Sequence, residues 1–186
     1  EEGFDVIRKS IKNKIEDDIE SALKTRLPSS SKSKELSDVY ADYDFQQIEP
    51  SESKKEIRYV DAIQESLHQS MKKDEKIIIM GQDIAEYGGV FKITEGFVKE
   101  FGKSRVRNTP IIESGIIGAC LGLSLEGFKP IVEMQFADFI SCGFNQVINN
   151  LAKTHYRWNH PVSVTLRMPT GGGGNAGPFH SQNLES

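Results

Sequence analysis

Cysteine is scarce: the chain holds only Cys120 and Cys142. Both sit inside apolar, helix-like runs. No disulfide framework is expected, and a reducing, cytoplasmic setting follows. Four histidines at unrelated spacings complete no metal-finger pattern; His155 and His160 are too loosely spaced to pair on a metal. No stretch approaches the ~20 apolar residues of a spanning helix. The opening Glu1-Glu2-Gly3 has neither the basic nor the apolar region of a signal peptide. A membrane role is therefore not expected. Basic residues show no excess, with 23 Lys and Arg against 27 Asp and Glu, which argues against nucleic-acid binding. A Gly-x-Ser-x-Gly elbow is absent, and with it the support for a serine hydrolase. Hydrophobic content is also low, 37% beside 27% charged residues in a chain of 186. A globule carrying a polar extension accounts for those numbers.

The composition changes near residue 56. From Phe4 to Leu27, Ile7, Ile11, Ile15, Ile19 and Leu23 recur every four residues among charged ones, which predicts a helix with one apolar stripe. Pro28 stops it. Residues 29–34 read as a flexible Ser/Lys linker. Residues 35–49 hold a few apolar anchors among acidic residues, and 50–56 form a second charged linker. One helical stripe cannot close a core, so this region is expected to dock on another surface or to stay disordered.

Beyond residue 56 helices and strands alternate. Tyr59 to Met71 predicts a helix with Ile63 and Leu67 on one face. Ile77-Ile78-Ile79-Met80, ended by Gly81, predicts a strand buried on both sides. A short helix over Glu95–Phe101, a brief strand over Arg105–Asn108 and a helix over Glu113–Glu126 follow. The next expectations are a strand over Lys129–Phe136, a long helix over Asp138–Trp158 capped near Asp138, and a strand over Val162–Arg167. The alternation predicts an α/β domain of three layers around a parallel sheet. The chain then enters Thr170-Gly171-Gly172-Gly173-Gly174-Asn175-Ala176-Gly177 and runs out at Ser186 as another element begins, so a longer parent chain is expected.

Four features bear on chemistry. Gly172-x-Gly174-x-x-Gly177 fits a dinucleotide fingerprint only formally, because no helix start follows Pro178; a loop that lets backbone approach a ligand is the better reading. Glu113 falls at a strand-to-helix junction, where ligands bind in open α/β sheets. It is either a first-turn glutamate favoured by the helix dipole or, if buried, a carboxyl able to carry a proton to a ring nitrogen. Phe139, just past a strand end, is placed to stack on a flat ring, although such aromatics more often belong to a core. His180 follows the glycine loop, a position suited to catalysis as well as to a structural role. Small residues Gly115, Gly118, Ala119 and Gly122 allow close helix packing.

Taken together, Gly81-Gln82-Asp83-Ile84, Tyr87-Gly88-Gly89-Val90-Phe91, Thr109-Pro110-Ile111-Ile112-Glu113-Ser114, Gly127 to Glu133, Gln135-Phe136-Ala137-Asp138-Phe139 and His180-Ser181-Gln182 resemble the beta subunit of the thiamin-diphosphate-dependent 2-oxoacid dehydrogenases. The resemblance implies a pyrimidine-binding domain over residues 57–186, cut short at its carboxyl end. Residues 1–48 look like the carboxyl-terminal helix and tail of the matching alpha subunit, with 49–56 as linker, which implies a fused alpha–beta polypeptide.

By that resemblance, Glu113 is expected to hydrogen-bond the aminopyrimidine of thiamin diphosphate, Phe139 to pack on it, and Ile111 and Ile112 to line its edge. His180 is expected to help the reaction meet a lipoyl group, and Gln135 to lie near the substrate pocket. Val162, Val164 and Thr165 match backbone positions that hold potassium in relatives. Gln82 and Asn145 depart from the usual Glu and Asp. The Gly-Asp-Gly…Asn motif for diphosphate and magnesium is absent, so only half a site is implied, the rest coming from an alpha part of the same polypeptide. A homodimer or alpha2beta2-like assembly and a lipoyl acyltransferase partner follow. Phe136 to Phe139 and Tyr156-Arg157 look most like the branched-chain enzyme, with pyruvate and acetoin as other substrates and a non-catalytic scaffold as the rival role.

Overall fold

The computed structural model describes residues 2–50, 52, 54–171 and 176–184. Residues 172–175 of the glycine run, and with them most of the formal fingerprint, lie outside the described residues, as do Ser51 and Ser53 of the expected second linker. The chain divides into two compact units, residues 1–37 and 38–186.

The first unit holds α1 (Glu2–Lys24) and α2 (Lys32–Ser37). The isoleucine stripe forms its helix as expected, and Pro28 lies beyond the helix end. The expected flexible linker instead enters α2. Ser31 Oγ accepts the Lys34 N–H at 3.2 Å, an end-cap that supplies one of the missing partners of a helix start.

In the second unit, residues 38–50 have no regular structure beyond a turn at the start, and Tyr40, Tyr43, Phe45 and Ile48 are exposed. The globule follows: α3 (Tyr59–Lys73), β1 (Ile77–Gly81), α4 (Phe97–Phe101), β2 (Val106–Asn108), α5 (Glu113–Leu125), β3 (Lys129–Glu133), α6 (Ala152–Trp158) and β4 (Thr165–Arg167). The four strands are all parallel, in the order β2-β1-β3-β4.

Side-chain alternation along β1 explains its unbroken apolar run. Ile78 and Met80 pack with Ile116, Ile117 and Cys120 of α5, and with Val132. Ile79 faces the other way, onto Met71 of α3, Phe97 of α4 and Val106. Helices thus cover both faces, and the sheet is the middle of three layers. Arg105 locks one end: its guanidinium donates to the carbonyls of Ile77, Met71 and Asp74 at 2.8–3.0 Å, satisfying groups that the end of α3 leaves open.

Three elements differ most from expectation. β4 spans Thr165–Arg167 rather than Val162–Arg167. β3 ends at Glu133 rather than Phe136, because its neighbour β4 is only three residues long. The long helix over 138–158 is broken into a 3-10 stretch (Ala137–Gly143), a π stretch (Gln146–Leu151) and α6. Contact with α5 accounts for the first part: a Cβ on Gly143 would fall 2.5 Å from Ile117 Cδ1. In the π stretch, amide side chains bond in ladders, Asn149 to Asn145 and Asn150 to Gln146. Thr154 Oγ1 donates back to the Asn150 carbonyl at 2.6 Å, a bond that bends helices. Asp138 is not the cap. It sits buried in the first turn, and Oδ1 accepts the Gln182 N–H at 3.1 Å.

Candidate active site at the carboxyl ends of the strands

Glu113 opens α5, next to the carboxyl end of β1. Gln82, one residue past that strand, donates from Nε2 to Glu113 Oε1 at 3.2 Å. The carboxyl is half-buried, not sealed. Ile111 and Ile112, just before it, are both exposed. They therefore present apolar surface beside the carboxyl rather than packing into the core.

Beyond the end of neighbouring β3, three rings meet. His180 lies edge-on to Phe136, ring centres 4.9 Å apart, and to Phe139 at 5.6 Å. Phe136 and Phe139 touch edge-to-face at 5.8 Å, and Phe91 adds a fourth ring against Phe136 at 6.1 Å. Such edge contacts suit the ring quadrupoles. A cavity of about 450 Å³ opens here, lined by Val90, Phe91, Phe136, Pro169, Thr170, Gly171, Ala176 and His180. The loop that carries His180 is pinned from both sides. Thr170 Oγ1 donates to the Gln182 carbonyl at 2.8 Å, and Asp138 holds the Gln182 N–H.

Glu133 is the last residue of β3, three positions before Phe136. It is buried and stands opposite Arg167 of β4 in the parallel register. Oε2 lies 3.0 Å from Arg167 Nη1, a charge contact without an aligned hydrogen bond. Burial pushes the Glu133 carboxyl above the usual glutamate range, and Arg167 opposes that push. Room for the carboxylate comes from Gly89 (φ 78°), where a Cβ would stand 3.1 Å from Oε1.

The expected residues are thus only partly gathered. Phe139 and His180 touch, and Glu113 stands over the adjacent strand, outside the lining of the aromatic cavity. Gln135 is half-buried between the strand and the rings. Val162, Val164 and Thr165 lie before or at the start of β4, at the opposite end of the sheet, where the Ser163 N–H donates to Ser124 Oγ at 2.7 Å. Among the described residues no three His, Cys, Asp or Glu side chains group to hold a metal. No described helix is long and apolar enough to cross a membrane. Sequence reasoning passed over Glu133 and Arg167 as site residues; the available signal was a lone acid set in the apolar run Pro130–Met134.

An aromatic-walled cleft and, apart from it, an acid at a helix start both lie beyond the carboxyl ends of a parallel sheet, the place where ligands bind in open α/β folds. Residues 55–186 match the family described as "Transketolase, pyrimidine binding domain", and the chain belongs to that family. It is 42% identical over 130 residues to the 2-oxoisovalerate dehydrogenase subunit beta of Bacillus subtilis, which covers 69% of this chain and 40% of that protein. It is 44% identical over 128 residues to a pyruvate dehydrogenase E1 component subunit beta of Staphylococcus epidermidis, covering 68% of this chain and 39% of that one. The chain therefore spans about 40% of the length of these relatives. A solved "Split gene transketolase, inactive beta4 tetramer" is similar at TM-score 0.47 and 21% identity, over 61% of this chain and 34% of that one.

Proposed function

We propose that the chain supplies the pyrimidine-binding half of a thiamin-diphosphate site in the decarboxylating component of a 2-oxoacid dehydrogenase. The observation that carries this reading is Glu113, half-buried at the start of α5 and steadied by Gln82. The residues present fit the ring half of the cofactor. A carboxyl with one amide donor can share a proton with a ring nitrogen, exposed Ile111 and Ile112 offer an apolar edge, and Phe139 offers an aromatic face. The diphosphate half has no matching groups here: no Gly-Asp-Gly run occurs in the sequence. Diphosphate and magnesium binding are assigned to an alpha part, with residues 1–48 as its tail, 49–56 as linker and 57–186 as the pyrimidine domain of one fused polypeptide.

When bound, the cofactor supplies the carbon nucleophile and the electron sink for losing carbon dioxide from a 2-oxoacid. The chain's own residues do the rest. Glu113 would hold and return a proton at its carboxyl, Phe139 would pack on the ring, and the Phe91–Phe136 wall would keep water from the cavity. His180, on the rim of the cavity, handles a proton when the acyl group passes to a lipoyl group on a partner acyltransferase. Gln135 borders the substrate, and a potassium ion at the carbonyls of Val162, Val164 and Thr165 would be structural, being at the far end of the sheet. A branched-chain 2-oxoacid is the proposed substrate, from Phe136-Ala137-Asp138-Phe139 and Tyr156-Arg157. Relatives named for 2-oxoisovalerate and for pyruvate match almost equally, so pyruvate is the second reading and acetoin the third. The proposed setting is cytoplasmic, in a dimer or alpha2beta2-like assembly.

Calorimetry tests the half-site. The isolated 186 residues should show no micromolar binding of thiamin diphosphate, whereas the assembled enzyme with its alpha part should bind it, more weakly once Phe139 is changed to Ala. Micromolar binding by the isolated chain contradicts the half-site; equal binding by the Phe139→Ala enzyme removes Phe139 from the cofactor.

A further inference from the structure

The first unit offers a surface that the reading above does not use. α1 runs from Glu2 to Lys24, 23 residues, about 34 Å at 1.5 Å per residue. Ile7, Ile11, Ile15 and Ile19 are each between 51% and 55% exposed, and Leu23 is 82% exposed. A row of β-branched and leucine side chains left half in water costs hydrophobic free energy that a partner would recover.

Near Ile15 the charges around that row are sorted. Arg8, Lys9, Lys12 and Lys14 precede Ile15, and Glu16, Asp17, Asp18 and Glu20 follow it; further out, Asp5 and Lys24 break the order and pair within the helix with Arg8 and Glu20. The apolar row is itself symmetric about Ile15, with two members on each side. Within one helix this order gains little. Lys12 and Glu16 do meet at 3.7 Å on the surface, but a basic residue placed four before an acid is the weaker orientation for such pairs. Between two copies the order is complementary. Laid antiparallel about Ile15, the basic half of each helix faces the acidic half of the other. At about 100° per residue, Lys12 and Glu16 flank one edge of the row while Lys14 and Asp18 flank the other. Antiparallel pairing therefore sets Lys12 against the partner's Glu16 and Lys14 against the partner's Asp18. Parallel pairing sets like charge against like.

We propose that α1 is a self-association surface, on which two copies of this chain pair their α1 helices antiparallel with Ile15 at the crossing point. The four-residue spacing fixes the style of packing. It follows the i±4 ridge of a helix, which turns about 40° per step and interlocks with a matching ridge at a crossing near −50°. A coiled-coil seam needs a 3.5-residue period instead. The contact is short and centred, and the charges on either side set its direction. The inference is independent of the cofactor reading, because it uses only residues of the first unit.

Oxidative cross-linking of the full chain tests it, in a Cys142→Ser background. Cys120 stays out of the reaction because burial pushes its thiol up to about 11. The Ile15→Cys chain should form a disulfide dimer and double its mass without reductant, and the Ile7→Cys chain should stay single. A charge exchange supplies the second arm, by sedimentation of the uncross-linked chain. Lys12→Glu with Lys14→Glu should abolish the dimer, and mixing with chains carrying Glu16→Lys and Asp18→Lys should restore it as a mixed pair. Self-cross-linking through Ile7→Cys, which means parallel helices, overturns the proposal. So does an Ile15→Cys chain that stays single, which means the row is covered by other protein. Charge variants that leave the mass unchanged do so too.

Discussion

The Glu133 carboxylate meets the Arg167 guanidinium at 3.0 Å, where β3 and β4 end side by side. Glu133 is buried, and burial holds its carboxyl above the usual range while Arg167 pulls the other way. Arg167→Met removes only the pull. The folded-state value then rises further above the unfolded one, so the fold favours the protonated acid. The variant should be least impaired near pH 4, below the unfolded value of about 4.3. It should lose stability steadily as pH climbs through the raised folded value. The loss at pH 8 is expected to be roughly 3–5 kcal/mol, the cost of leaving a buried charge without its partner. Urea unfolding across that pH range measures it. Adding Glu133→Gln should flatten the pH dependence, and a slope that survives the second change assigns it to another group.

The loop under the aromatic wall depends on glycine. Gly88 has φ 82°, and a Cβ there would lie 2.7 Å from the Glu95 backbone. Gly88→Ala therefore carries about 1–2 kcal/mol for the left-handed conformation, and a backbone clash besides. A fall in the thermal midpoint larger than that of Gly96→Ala is expected. Gly96 shares the conformation but has nothing within 4 Å of its added carbon. Equal midpoints would mean the 88–95 turn opens freely.

The two thiols should differ sharply. Cys120 is buried, with its thiol pushed up to about 11, while Cys142 is exposed. A maleimide at pH 7 should label Cys142 at once and Cys120 only after unfolding, as mass spectrometry of digested protein would show. Prompt double labelling of the native chain would contradict the core described for α5.

How much of this was legible beforehand depends on the range of the interaction. Ile77 to Met80 announced a doubly covered strand because its pattern is local, and the four-residue row of α1 announced a helix for the same reason. The break in the 138–158 helix was not local. It comes from Gly143 pressing on Ile117 and from the Gln182 N–H taking Asp138, partners 26 and 44 positions away. Glu133 and Arg167 escaped notice for the same reason: they stand 34 positions apart, and only the parallel register brings them opposite. Glu113 was legible as a strand-to-helix junction. That it would be half-buried beside Gln82, rather than enclosed, was not. Phe136 and Phe91 carried only the resemblance in the sequence; that their rings form a wall against His180 comes from contacts between distant segments.

His180 separates two parts of the proposed reaction. Its ring stands against Phe136 and Phe139 on the rim of the cavity. In the assembled enzyme, His180→Ala should slow acyl transfer to a lipoyl acceptor by about 10²-fold, the usual weight of one positioned acid–base group. Turnover with an artificial electron acceptor, which bypasses that transfer, should change little. Equal losses in both assays would place His180 in decarboxylation itself.

The most direct measurement is the decarboxylation rate of the assembled enzyme carrying Glu113→Gln, at saturating thiamin diphosphate and 2-oxoacid. Glutamine keeps the shape and the contact with Gln82 but cannot give up a proton. A fall of about 10²-fold or more is predicted, in line with loss of an acid–base group. A rate that stays with the unaltered enzyme would take Glu113 out of the chemistry and leave this domain a scaffold.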